Sequence, residues 1–269
     1  MTSYTAAVVQ MNSQPDADLN FESARKWIRA AAQRGAKFVG LPEYFSFLGD
    51  LRERQDKADN ISKRSSQFLK DTAAEFSIYL LGGTIPVPAD QKRTYNRSIL
   101  IGPSGEVLAS YDKIHLFDVD LSDKEQYRES DDIMPGENAP QVANLDSLGT
   151  VGLSVCYDLR FPELYRTLME APADILTVPS AFTATTGKDH WEPLLRARAI
   201  ENTAYVFAPA QTGTHGKSRK THGHAMIIDP WGTILADAGT QEGIALAEID
   251  RARIRKVRQR IPSLNHRVL

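Results

Sequence analysis

The 269-residue chain predicts an α/β fold, with helices layered on a mixed β-sheet. Three observations lead there. Short apolar runs alternate with stretches whose apolar residues recur at helical spacing. Turns bearing glycine and proline join neighbouring apolar runs as antiparallel hairpins, which a purely parallel sheet lacks. No linker, repeat or low-complexity segment interrupts the pattern, so residues 1–269 read as a single domain.

Residues 4–11 read as a strand. Residues 16–34 read as a helix, with Phe21, Ala24, Trp27, Ile28 and Ala31 on one face. A strand at 37–41, a helix at 61–75 and a strand at 77–85 follow, the last carrying Gly82 and Gly83. Segments 97–101 and 107–113 form a hairpin turned at 102–105. Residues 115–144 are polar, acidic and without pattern, and a loop that long in a compact domain is usually functional. Then come a strand at 151–155, a helix at 161–169, a strand at 175–179, a helix at 191–202 and a strand at 204–210. The end is strand-rich (223–229, 233–236 and 244–249), with a basic helix at 251–260 and a tail at 261–269.

Hydrophobic residues are 42% and charged residues 25%, as in ordinary globular chains. A net charge of −2 supplies no electrostatic footprint for nucleic acid or an anionic membrane surface. No apolar run approaches the ~20 residues of a membrane helix. The single cysteine has no internal disulfide partner, and the first residues lack a signal-peptide pattern. Both point to the cytoplasm.

That cysteine, Cys156, ends the apolar run 151–155 and precedes Pro162, a residue suited to a first helical turn. A strand-to-helix corner holds a nucleophile at the open end of a sheet, although a buried structural cysteine is the plainer reading. Glu43 follows a buried strand and Pro42 and precedes the aromatic Tyr44, where apolar neighbours would make it a better proton acceptor, although a surface loop glutamate is the plainer reading in isolation. Lys113 ends a strand before Ile114; it either stabilises an oxyanion and a nearby thiolate or snorkels to solvent. Glu129 is one acid within an acidic loop. His215, His222 and His224 invite a metal reading, but no third ligand completes a set on one strand face, so neither metal nor cofactor is expected.

Taken together, Gly40 to Glu43, Tyr111 to Phe117 and Val155 to Glu163 resemble, in that order, the three catalytic segments of the nitrilase superfamily of carbon–nitrogen hydrolases. The resemblance extends through Pro179 to Phe182, His190 to Glu192, Arg196 to Asn202 and Asp229 to Gly232, nearly the whole chain. It is strongest to the Nit branch, amidases of deaminated glutathione and of α-keto acid ω-amides. The resemblance implies an αββα sandwich that pairs into a four-layered dimer or a higher even-numbered assembly, the tail reaching the partner. It implies Glu43 as base, Lys113 as oxyanion donor, Cys156 as nucleophile and Glu129 as a second glutamate that orients Lys113 or substrate. The implied reaction hydrolyses a small-molecule amide to a carboxylic acid and ammonia through a cysteine thioester, with an activated thiolate that alkylators label quickly. The backbone N–H of Tyr157 would join Lys113 at the oxyanion.

Gln211, Gly223, His224 and Pro162 lean towards deaminated glutathione amidases; an ω-amidase on α-ketoglutaramate or α-ketosuccinamate, or another carbon–nitrogen hydrolase, is the alternative inside the family. Outside it stand a Cys–His thiol hydrolase using His115, which has no evident orienting partner, and a non-catalytic scaffold. Arg160 is an option for a substrate carboxylate, or an ion-pair partner of Asp158. Loops at 117–128 and 181–189 are expected as pocket walls.

Overall fold

The computed structural model describes residues 3–49, 51–123, 125–137, 139–171 and 173–268, with only the backbone at 51–56. The first half forms β1 (Ser3–Met11), α1 (Ala17–Gln33), β2 (Ala36–Gly40), α2 (Leu51–Phe76), β3 (Tyr79–Leu81), β4 (Ile85–Pro88), β5 (Thr94–Ile101), β6 (Val107–Asp112), β7 (Asp118–Ser122) and β8 (Glu125–Arg128). The second half forms β9 (Val142–Asn144), β10 (Thr150–Leu153), α3 (Pro162–Leu168), β11 (Ile175–Thr177), α4 (Ala184–Asn202) and β12 (Tyr205–Ala208). It ends in β13 (Ala210–His215), β14 (Arg219–His222), β15 (Met226–Ile228), β16 (Ile234–Asp237), β17 (Gly243–Asp250) and α5 (Arg251–Arg260).

All the strands but β7 and β8, which pair with each other, make two mixed sheets. In the first, β1 lies parallel to β2 and antiparallel to β17, and β2 lies parallel to β3. In the second, β10, β11 and β12 run parallel, flanked by antiparallel β9 and β15. Alternation along β1 sorts its two faces. Ala6 and Val8 enter the core between the sheets, against Leu153, Val206 and Ile227 of the second sheet. Ala7, Val9 and Met11 pack instead under Ala24 and Ile28 of α1 and Leu69 and Ala73 of α2. Leu164 and Tyr165 of α3 and Trp191 and Leu195 of α4 cover the second sheet. The layers are therefore helices, sheet, sheet, helices, as the resemblance implied. Phe38 and Phe207 bridge the sheets with centroids 5.2 Å apart.

Helix boundaries follow local chemistry. Asp16 caps α1 by accepting from the Asp18 and Leu19 amides, a device worth about 1 kcal/mol. Pro162 occupies the first turn of α3. Three expectations change, the first being that helix α4 begins at Ala184 rather than 191 and takes in most of the loop read at 181–189. Helix α2 begins at Leu51 rather than 61, because its first turns carry polar residues with no apolar stripe to read. The supposed loop at 115–144 contains the β7–β8 hairpin, whose strands alternate between exposed and half-buried positions. The tail turns at Ser263–His266 and packs on α4 of its own chain, with Leu264 against the core. Among the described residues, no helix is long and apolar enough to cross a membrane.

Candidate active site

The carboxyl ends of β2 and β10 face one cavity, where open α/β sheets generally hold ligands. Glu43 follows β2 and is 1% exposed. Its Oε1 accepts from Asn96 Nδ2 at 2.9 Å and Lys113 Nζ at 3.3 Å, and its Oε2 accepts from the Ala181 amide at 2.8 Å. Gly83 permits this seat. Its φ is +52°, and a Cβ there would stand 1.9 Å from the Pro42 carbonyl oxygen, so only glycine lets the chain pass behind Glu43.

Lys113 follows β6 and is also 1% exposed, which rules out snorkelling. Its Nζ donates to Glu129 Oε2 at 2.6 Å as well as to Glu43. The other bonds of Glu129 are equally fixed. Phe117 N donates to Oε2 at 2.7 Å and Tyr44 OH to Oε1 at 2.8 Å. The residue that looked like one more loop acid is thus buried against an ammonium. Tyr44 and Asn96, linked at 3.0 Å, complete the network and carried no signal in the sequence.

Cys156 turns the corner after β10 with φ of +49°, in the left-handed region that side chains avoid at a cost of about 1–2 kcal/mol. Neighbouring bonds hold it there. Its own N–H donates to Pro179 O at 3.1 Å, which leaves Tyr157 as the next amide towards a bound carbonyl. Asp158, fully buried, accepts from Val155 N and Tyr111 OH, each at 2.8 Å, and from His115 Nδ1 at 2.7 Å. This aspartate ties the nucleophile turn to the strand that ends in Lys113.

The charges act on one another. Burial would lower the Lys113 ammonium, but Glu129 and Glu43 outweigh it and hold the group well above the ordinary lysine range. Burial likewise opposes ionisation of Glu129, yet Lys113 and the Phe117 and Tyr44 bonds keep its carboxyl below the usual range. For Cys156, burial and the Glu43 carboxylate push the thiol well up, and Lys113 pulls it down without prevailing. Burial and Glu43 thus favour the neutral thiol at rest, hydrogen-bonded to Glu43.

Glu43, Lys113, Glu129 and Cys156 all line a cavity of about 320 Å³. The expected wall loops contribute Phe117, Tyr127 and Phe182, and Tyr157 lines the cavity next to Cys156. Arg128 and Arg219 also line the cavity, and neither had been singled out. Arg160 lies outside that lining. Its guanidinium covers the Tyr157 and Phe182 rings at 5.8 and 5.3 Å, and the ion pair with Asp158 does not form because His115 occupies that carboxylate. His115 does have an orienting acid, contrary to expectation, but it stacks on Phe161 at 3.7 Å and does not line the cavity.

Of the three histidines that invited a metal reading, His222 stacks on His224 with ring centroids 4.8 Å apart. His215 is buried between Ser13 O and Thr221 Oγ1, each at 2.7 Å. His224 pairs with Asp237 at 2.9 Å. Among the described residues, no three metal-ligating side chains converge.

The carbon–nitrogen hydrolase family model matches residues 5–259. The chain belongs to the carbon–nitrogen hydrolase family. It is 52% identical to a deaminated glutathione amidase of Synechocystis sp., over 100% of this chain and 99% of that one. It is 39% identical to human omega-amidase NIT2, over 97% of this chain and 94% of the relative. The crystal structure of C. elegans NitFhit superposes with a TM-score of 0.94 at 36% identity, covering 100% of this chain, which spans 66% of that longer protein.

Proposed function

We propose that this carbon–nitrogen hydrolase is a thiol-dependent amidase of deaminated glutathione. Full-length identity of 52% to an enzyme of that name carries the substrate assignment. The set of Glu43, Lys113, Glu129 and Cys156 around one cavity supports the chemistry. In this reading Cys156 Sγ attacks the amide carbonyl as its proton passes to Glu43. Lys113 and the Tyr157 amide stabilise the tetrahedral oxyanion. Glu43 returns the proton to the leaving nitrogen, the acyl group stays on sulfur, and Glu43 then activates the water that releases the acid. Glu129 orients Lys113, since both its oxygens are engaged by that ammonium, Phe117 and Tyr44.

The amide of deaminated glutathione is N-substituted, so the amine released is cysteinylglycine. Ammonia, the product expected above, arises only from a primary amide such as α-ketoglutaramate. Intact-protein mass with product analysis tests the assignment. An acyl adduct on Cys156 with release of cysteinylglycine is the expected result, and Cys156→Ala retains the fold but forms no adduct. Ammonia from α-ketoglutaramate with deaminated glutathione untouched would transfer the protein to the ω-amidases, which 39% identity to NIT2 keeps as the second reading.

We further place the enzyme in the cytoplasm, as one domain in a homodimer. Ile200 and Trp231, 50% and 48% exposed, support a covered face beside α4. Arg198 of α4 is instead buried, donating to Leu159 O of its own chain at 2.7 Å. Light scattering that gave a monomer at micromolar concentration would remove the dimer.

A further inference from the structure

A second cavity, about 350 Å³, adjoins the one that holds Cys156; Gly49 and Arg219 line both. A Cβ on Gly49 would stand 2.6 Å from Pro15 Cβ, so glycine keeps that shared wall free of bulk. Arg219 opens β14 and lays its guanidinium 5.6 Å from the Tyr44 ring. Its Nε is buried without a hydrogen-bond partner. Among the described residues it has no carboxylate partner, whereas Arg128 is paired with Asp120 at 2.6 Å. Lys217 lies on the far side of Arg219 and lines only the second cavity. His215 also lines it, but burial lowers this imidazole to about 4, so it is neutral near pH 7. Among the described residues, the positive charge of this wall is thus that of Arg219 and Lys217.

We propose that the second cavity is a leaving-group subsite, where Arg219 and Lys217 hold the terminal carboxylate of a peptide-like amine. The inference rests on the amidase reading above. With the scissile carbonyl at Cys156, the α-keto acid half and the dipeptide half extend in different directions. The dipeptide half ends in a carboxylate, which suits two cations two positions apart, one of them a guanidinium with no carboxylate partner among the described residues. A primary ω-amide has only an NH₂ group on that side and leaves the subsite empty. Binding of the remote half therefore raises kcat/KM for the N-substituted amide alone.

The ratio of kcat/KM for deaminated glutathione to that for α-ketoglutaramate tests this, because misfolded protein lowers both alike. In Arg219→Gln and Lys217→Gln the ratio should fall roughly ten- to a hundredfold, as for a lost hydrogen bond to a charged group. Arg219→Lys should recover part of it. A second measurement needs no turnover. Calorimetry with S-methylcysteinylglycine should show tighter binding than with its C-terminal amide, and Arg219→Gln should erase that preference. Wild-type enzyme that failed to cleave deaminated glutathione would end the substrate assignment, and the calorimetry would still decide the subsite. An unchanged ratio in active enzyme, or equal binding of the dipeptide and its amide, overturns the proposal.

Discussion

Two buried carboxylates flank the nucleophile turn, and their surroundings differ. Glu43 faces an ammonium, a thiol and an open cavity. Asp158 accepts from the backbone of Val155, the Tyr111 hydroxyl and the amide and ring of His115, and does not line the cavity. Both are essentially inaccessible, at 1% and 0% exposure. Burial of a charge therefore does not mark a reactive group. The mark is which atoms remain free to exchange a proton with something that enters.

The largest test of this contrast is on the Glu43 side. Lys113→Ala should cut turnover by at least ~10²–10³, the typical effect of removing an oxyanion donor. Near-normal turnover would mean that Lys113 serves only to neutralise its two glutamates. On the other side, Asp158→Ala should act mainly on stability. Each buried donor left unpaired costs about 1–3 kcal/mol, and Val155 N–H and Tyr111 OH both lose their acceptor. Chemical denaturation should show a loss of several such increments, with turnover per folded molecule less affected than in Lys113→Ala. The reverse pattern would erase the distinction between the two acids.

A smaller effect concerns His215, held at about 4 by burial against an unfolded value near 6.5. As pH falls the unfolded chain takes up its proton first. The histidine's contribution is thus complete above about pH 6.5 and is lost progressively down to about pH 4, on the order of 3 kcal/mol. Urea unfolding of His215→Gln over that interval should be correspondingly less sensitive to pH. The smallest effect is conformational. At most sites glycine is less stable than alanine, by roughly 0.5–1 kcal/mol within a helix. At position 156 the left-handed φ should cancel or reverse this, so Cys156→Gly should melt no lower than Cys156→Ala.

Glu43, Lys113 and Cys156 were legible in the sequence because each ends an apolar strand that reads clearly, so its end places the side chain. Glu129 was legible only through the ordered set of family segments, since an acidic loop conceals one special acid among many. Tyr44, Asn96 and Asp158 were missed because their partners come from distant strands. Gly83 stood out as a glycine, but its purpose is the approach of Pro42 from another segment. The β7–β8 and β13–β14 hairpins escaped for a related reason. Hairpin β7–β8 lies over the site with no buried apolar face, and β13–β14 carries polar residues such as Gln211 and Thr212 into buried positions, so neither shows the usual alternation. The two helical layers were better resolved, except where α2 begins in polar turns.

The neutral thiol of Cys156 bears on how this enzyme tolerates its surroundings. Peroxides and simple alkylating agents consume thiolates, and in the mechanism proposed above this sulfur gains that character as Glu43 removes its proton. Peroxide should therefore inactivate the enzyme more slowly than it oxidises an exposed, acidic cysteine. It also directs inhibitor chemistry away from general thiol reagents and towards aldehydes and other electrophiles that reproduce the tetrahedral adduct.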